Sequence, residues 1–90
     1  MSTTFEWNNA KAESNIGKHG IAFEQAVLVW ADPQLLVLPT TTDPEPRWMA
    51  LGKVNGLVLA VVFTHREPAT IRLISARRAS RKERAAYASQ

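Results

Sequence analysis

The dipeptide Asn55-Gly56, set between the apolar runs Trp48–Val54 and Leu57–Thr64, constrains this chain more than any other feature. A two-residue type I′ turn needs positive φ at both central positions, and Asn-Gly meets that need at low steric cost. The pattern predicts a β-hairpin at the heart of the fold. Its second arm contains the longest apolar run, Leu57 to Phe63, of seven residues. A membrane-spanning helix needs roughly 20, so no membrane insertion is expected.

Other strands follow from the same logic. Gln34 to Pro39 reads as a short apolar strand, closed by the turn-rich segment Thr40-Thr41-Thr42-Asp43-Pro44-Glu45-Pro46. A second reversal at Arg66-Glu67-Pro68-Ala69 leads into a strand over Thr70 to Ala76. In strict alternation, Arg72, Ile74, Ala76 and Arg78 take one face, and Ile71, Leu73, Ser75 and Arg77 the other.

Helices bracket these strands. Asn8 or Asn9 can cap a first helix over about Ala10 to His19, with a thin apolar face of Ala12 and Ile16 and with Asn15 on the same side. Gly20 reads as its left-handed stop, and Lys18 and His19 lie where cations favour the helix dipole. In a second helix, Phe23 to Ala31, the residues Phe23, Ala26, Val27 and Trp30 form an apolar stripe that Pro33 ends. Ser80-Arg81-Lys82-Glu83 is a capping box for a last helix to about Ala88. The expectation is an α+β fold: an antiparallel sheet of about four strands, with two N-terminal helices and one C-terminal helix packed on it. At 90 residues, 1–90 is read as a single domain.

Composition narrows the chemistry. No cysteine is present, which removes disulfides, thiolate metal sites and a cysteine nucleophile, and suits a cytoplasmic protein. The opening Met1-Ser2-Thr3-Thr4-Phe5-Glu6-Trp7 lacks the basic and apolar regions of a secretory leader. His19 and His65 stand far apart, with no carboxylate or second histidine at ligand spacing, so neither a metal nor a cofactor is expected. Phosphate loops, nucleophile elbows and dinucleotide fingerprints are also missing. Charge is uneven. Arg66 to Gln90 holds seven basic and two acidic residues, whereas the first 65 hold four basic and six acidic. An anionic partner, nucleic acid or acidic protein, fits the C-terminal part, although a solvated helix face gives the same signal.

Within that region Arg72 interrupts an apolar strand, so it is either half of a structural ion pair or an anion site. Arg77 and Arg78 stand at the junction with the last helix, either as an ordinary loop cation pair or as a phosphate site favoured by the free N–H groups of that helix. His19 can be a helix-end group or a proton carrier, since imidazole titrates near neutral pH. Tyr87 can stack on a base or pack its helix, and Trp7, Trp30 and Trp48 read as core residues.

Together, Phe5-Glu6-Trp7, Lys11-Ala12, Asn15, Lys18-His19-Gly20-Ile21, Phe23-Glu24 and Ala26 resemble the opening of the BrnT toxin family. The block Ile71-Arg72-Leu73-Ile74-Ser75-Ala76-Arg77-Arg78-Ala79, with Glu83-Arg84 and Tyr87 beyond it, resembles that family's C-terminal part. Asn8 departs from it, standing where aspartate is usual, and so does His65, at a position expected to be acidic; no catalytic role is carried onto His65.

The resemblance implies a RelE-like fold and the toxin half of a type II toxin–antitoxin pair. It implies a ribonuclease that blocks translation, neutralised by a DNA-binding BrnA-like antitoxin in a heterotetramer, with operator DNA reached only through the antitoxin. Metal-independent cleavage needs a base for the 2′-hydroxyl, cations for the phosphorane and an acid for the leaving oxygen. On this reading Arg72 and Arg77 hold the scissile phosphate, Lys18 and His19 move protons, and Lys53, Arg78 and Arg81 bind the RNA backbone. The alternative is a non-enzymatic module whose basic C-terminal region docks an acidic protein or DNA.

Overall fold

The hairpin forms where Asn55-Gly56 demands it. In the computed structural model, which describes residues 3–90, Asn55 has φ 51° and Gly56 φ 83°. They join β3 (Arg47–Val54) to β4 (Leu57–Arg66) in a register running from Val54↔Leu57 to Trp48↔Phe63. Met1 and Ser2, the first residues of the segment read as lacking a leader, lie outside the described residues. The remaining strands are β1 (Thr4–Glu6), β2 (Leu36–Thr41) and β5 (Thr70–Arg78). Their order is β1-β5-β4-β3-β2.

Four of these strands are the expected antiparallel run. The fifth, β1, adds to the edge of β5 in parallel, with Phe5 opposite Ile71, so the sheet is mixed. Three residues are too short for an alternating pattern to register, and their partner lies more than sixty positions away. β2 begins and ends about two residues later than its apolar pattern indicates, because its Leu36 and Leu38 pair with Leu51 and Met49.

Strict alternation fails along β5. Val62 pairs with Ser75 but Phe63 pairs with Leu73, which leaves Ile74 as an unpaired bulge residue. Ala76 therefore joins Ile71 and Leu73 in the core instead of lying opposite them. Arg72, Ser75 and Arg77 pair with Thr64, Val62 and Ala60, alternate residues of β4, and so share one face. The extra residue unites the two arginines that the simple pattern separates.

One face of the sheet carries the larger core. Phe23, Ala26 and Val29 pack there on Ala50, Val61, Phe63 and Leu73. They come from α2 (Phe23–Ala26) and the 3₁₀ helix that continues it over Val27–Ala31. The three tryptophans border this core: Trp30 lies 5.2 Å from Phe5 and 5.1 Å from Phe63, Trp7 is 5.8 Å from Phe23, and Trp48 is 6.0 Å from Phe63. The 3₁₀ helix sits so close to β3 that a Cβ on Gly52 would come within 2.7 Å of Val29 Cβ. On the other face α3 (Arg81–Ala88) seats Tyr87 against Leu51, Ala60 and Ala79.

α1 (Asn9–His19) is capped by Asn8, whose Oδ1 accepts from the Lys11 amide at 3.0 Å, and it stops at Gly20 with φ 69°. Its buried residue is polar. Ile16, expected on the apolar face, is 50% exposed, while Asn15 is only 4% exposed. Asn15 Nδ2 donates to the carbonyls of Ile21 and Ala76, each at 2.8 Å, and its Oδ1 accepts from the Ala76 amide at 3.0 Å. Ala76 lies beyond Thr70–Arg72, the stretch of the β5 edge that β1 covers, so the Asn15 amide pairs with it as a neighbouring strand would. One side chain thus holds α1 to the sheet edge.

Two stability measurements follow from this packing. Asn15→Ala strands three buried backbone groups and should cost about 3–9 kcal/mol, at roughly 1–3 kcal/mol for each group left unpaired. A thermal midpoint within a few degrees of wild type would show that water replaces the clamp. Gly52→Ala forces the 3₁₀ helix off β3 and should cost about 1–3 kcal/mol in urea unfolding.

Candidate active site

Side chains three, four and seven positions apart share a helix face. On α1 that geometry aligns Lys11, Ser14, Asn15 and Lys18, with His19 as the last helical residue. These residues, with Ile74 and Ser75 of β5, line a cleft of about 220 Å³. The bulge at Ile74 presents Ser75 to it. Lys11, Lys18 and His19 take part in no ion pair among the described residues. Lys18 and His19 thus come together, joined by Lys11 and Ser75, neither of which the sequence reading selected. Both histidines are exposed; His65 packs against Trp48 at 4.7 Å and Phe63 at 5.5 Å as the rim of the aromatic cluster.

Arg72 and Arg77 continue the Ser75 face of β5. Each is anchored by a carboxylate and keeps donors free. Arg72 Nη1 donates to Glu6 Oε2 at 2.8 Å, a pairing that β1 sets by placing Glu6 directly beside Arg72. The open choice between ion pair and anion site resolves to an ion pair with spare N–H groups. Arg77 makes a two-pronged bond to Glu83, at 2.7 and 2.8 Å.

Glu83 has a second task. Its Oε1 accepts from the Ser80 amide at 2.7 Å, and its own amide donates to Ser80 Oγ at 3.2 Å, completing the capping box. The capping carboxylate of α3 is therefore also the clamp on Arg77. The guanidinium and the Ser80 amide hold the Glu83 carboxyl down at about 2, against a burial effect that acts the other way.

The expected backbone-binding residues divide. Lys53 and Arg78 come together, with Arg84, around Gly56, Leu57 and Val58 in a cleft of about 340 Å³. Arg84 is a third basic group there, and its Nη1 also donates to the Ala79 carbonyl at 2.8 Å. Arg81 is exposed on the first turn of α3 and lines neither cleft. Tyr87 is buried, and its hydroxyl donates to Asp32 Oδ2 at 2.5 Å, so it packs its helix and offers no base platform. Asp32 also accepts from the Lys53 amide at 2.7 Å; the Tyr87 and Lys53 bonds lower its pKa, and the bond to Asp32 raises that of Tyr87.

No set of three or more His, Asp and Glu side chains is grouped to hold a metal ion among the described residues. Within those residues no helix is long and apolar enough to cross a membrane.

Comparison with known proteins decides the family. Residues 7–83 match the family model described as the ribonuclease toxin BrnT of type II toxin–antitoxin systems. The chain belongs to the BrnT toxin family. It is a ribonuclease toxin by that membership, and an antitoxin is its implied partner. Its structure resembles the crystal structure of the Brucella abortus ribonuclease toxin BrnT, with a TM-score of 0.72 and 31% identity. That match covers 89% of this chain and 100% of the Brucella chain. No curated protein sequence matches at a significant level. Both β5 and the α1 cleft fall within the matched span.

The Glu83 clamp predicts an acid dependence with a definite sign. A carboxyl lowered in the folded state stabilises fully above its unfolded value, near 4.5, and loses that contribution as pH falls toward about 2. Partial exposure of Arg77 screens the pair, so about 1–2 kcal/mol is at stake. Unfolding measured from pH 6 to pH 2 should show wild type losing this increment below pH 4.5, and Glu83→Gln lacking it throughout. Identical acid profiles would mean that the pair contributes nothing in solution.

Proposed function

We propose that this toxin cleaves RNA without a metal ion, at the α1–β5 cleft and the adjoining arginine face of β5, and blocks translation by doing so. The observation that carries this reading is the gathering of Lys11, Lys18 and His19 against Ser75, next to the face that holds Arg72 and Arg77. All the ionisable groups of that cleft are basic, which suits a phosphorane and repels a divalent cation. In the proposed reaction one of Lys18 and His19 takes the proton of a ribose 2′-hydroxyl. The 2′-oxygen then attacks phosphorus. The bond to the 5′-oxygen breaks as the other residue protonates it, leaving a 2′,3′-cyclic phosphate and a 5′-hydroxyl.

Arg72 and Arg77 act on the phosphate through the donors that Glu6 and Glu83 leave free. A guanidinium already fixed by a carboxylate has little reorganisation left when charge builds on the phosphorane. Lys53 and Arg78, with Arg84, hold the backbone on one side of α3, and Arg81 extends that contact. The cytoplasm is the setting that gives such an enzyme its substrate. There a BrnA-like antitoxin neutralises it as a heterotetramer of two toxin and two antitoxin chains, and operator DNA is bound through the antitoxin alone.

The test is a pulse of expression without the antitoxin, with growth followed and RNA 5′ ends mapped. Lys18→Ala and His19→Ala change exposed side chains that take part in no ion pair among the described residues. Each should retain the fold and lower cleavage by about 10²-fold or more. Arg77→Ala should abolish growth arrest, with circular dichroism reporting whether α3 stays docked once Glu83 loses its partner. Full toxicity in soluble Lys18→Ala and His19→Ala proteins would move the chemistry elsewhere.

A further inference from the structure

β2 is an outer strand of the sheet, and much of its apolar surface is open. Val37 is 42% and Leu38 36% exposed, high values for strand residues beside a core. On the α3 side, Leu38, Pro39, Thr40 and Met49 form a groove of about 250 Å³ closed by Lys82, Glu83 and Ala86. Its lining is almost wholly apolar, and the one carboxylate in it, Glu83, is committed to Arg77 and the capping box. On its α3 wall Lys82 is exposed, and it is in no ion pair among the described residues.

We infer that this groove between β2 and α3 is where the antitoxin docks, through a segment that inserts an apolar side chain and sets an acidic residue against Lys82. Two observations select protein over RNA. The groove contains no aromatic ring on which a base could stack, and its aliphatic floor suits a leucine- or valine-sized anchor. Charge complementarity sets the sign of the partner, because Lys82, exposed on the rim and in no ion pair among the described residues, favours an acidic flank. The location also supplies a means of neutralisation. A segment lying on Lys82 and Ala86 covers the first turn of α3, where Arg81 stands and where Glu83 holds Arg77. The inhibitory consequence rests on the RNA reading above; the docking surface does not.

The experiment uses the full-length toxin and the antitoxin encoded beside it, with affinity measured by calorimetry and a single-stranded RNA oligonucleotide as second ligand. Leu38→Asp places a charge on the groove floor, and Lys82→Glu reverses the rim. Lys82 is exposed and in no ion pair among the described residues, so that variant keeps the test open if Leu38→Asp fails to fold. Each should weaken antitoxin binding at least tenfold, with steeper salt dependence for wild type than for Lys82→Glu, and leave RNA cleavage intact. Toxicity would then escape neutralisation on co-expression. Antitoxin affinity unchanged in folded Lys82→Glu and Leu38→Asp would overturn the assignment. So would variants that lose RNA affinity while binding antitoxin normally, since the groove would then be an RNA surface. A chain without RNA-cleaving activity whose variants still lose the antitoxin would refute the catalytic reading and leave the docking surface standing.

Discussion

The structure depends on one buried amide. Asn15 closes the part of β5 that β1 leaves open, satisfying both backbone groups of Ala76 and the carbonyl of Ile21. An apolar residue there would leave three backbone groups without partners, which costs far more than its burial would return. Because the clamp is a hydrogen-bonded contact with fixed geometry, it sets the position of α1 along the strand. The cleft that gathers Lys11, Lys18 and His19 against Ser75 exists only at that position.

Carboxylates play the corresponding part along the arginine face of β5. Glu6 and Glu83 belong to the first strand and the last helix, yet each anchors an arginine of β5. The anchoring costs little in an exposed setting and leaves cations aimed and ready. Glu83 also starts α3, so the integrity of that helix and the posture of Arg77 are the same event. A groove beside that junction is a natural place for a protein partner to act on the toxin.

Much of the local structure was legible in the residues. Asn55-Gly56 specified its turn because few residues other than glycine and asparagine accept positive φ. Ser80 and Glu83 specified the start of α3, Gly20 the end of α1, and Asn8 or Asn9 its start, because a cap is chemistry between near neighbours. The family resemblance was equally legible, carried by the Lys-His-Gly and Ile-Ser-Ala-Arg-Arg blocks, and the comparisons bear it out. The site was less so. Lys18 and His19 were picked out as residue types at a helix end, but nothing local marked Lys11 or Ser75 as their neighbours.

By itself, then, the sequence determined the hairpin, the helix boundaries, the α+β class and the basic C-terminal balance, all of which rest on interactions within a few residues. The tertiary structure decided what depends on distant partners. It placed Thr4–Glu6 as a fifth, parallel strand and chose Asn15 over Ile16 as the buried residue of α1. It also inserted Ile74 as a bulge, so that Arg72, Ser75 and Arg77 share a face. A period-two pattern cannot register an extra residue, because the backbone pairing that skips it is made with another strand.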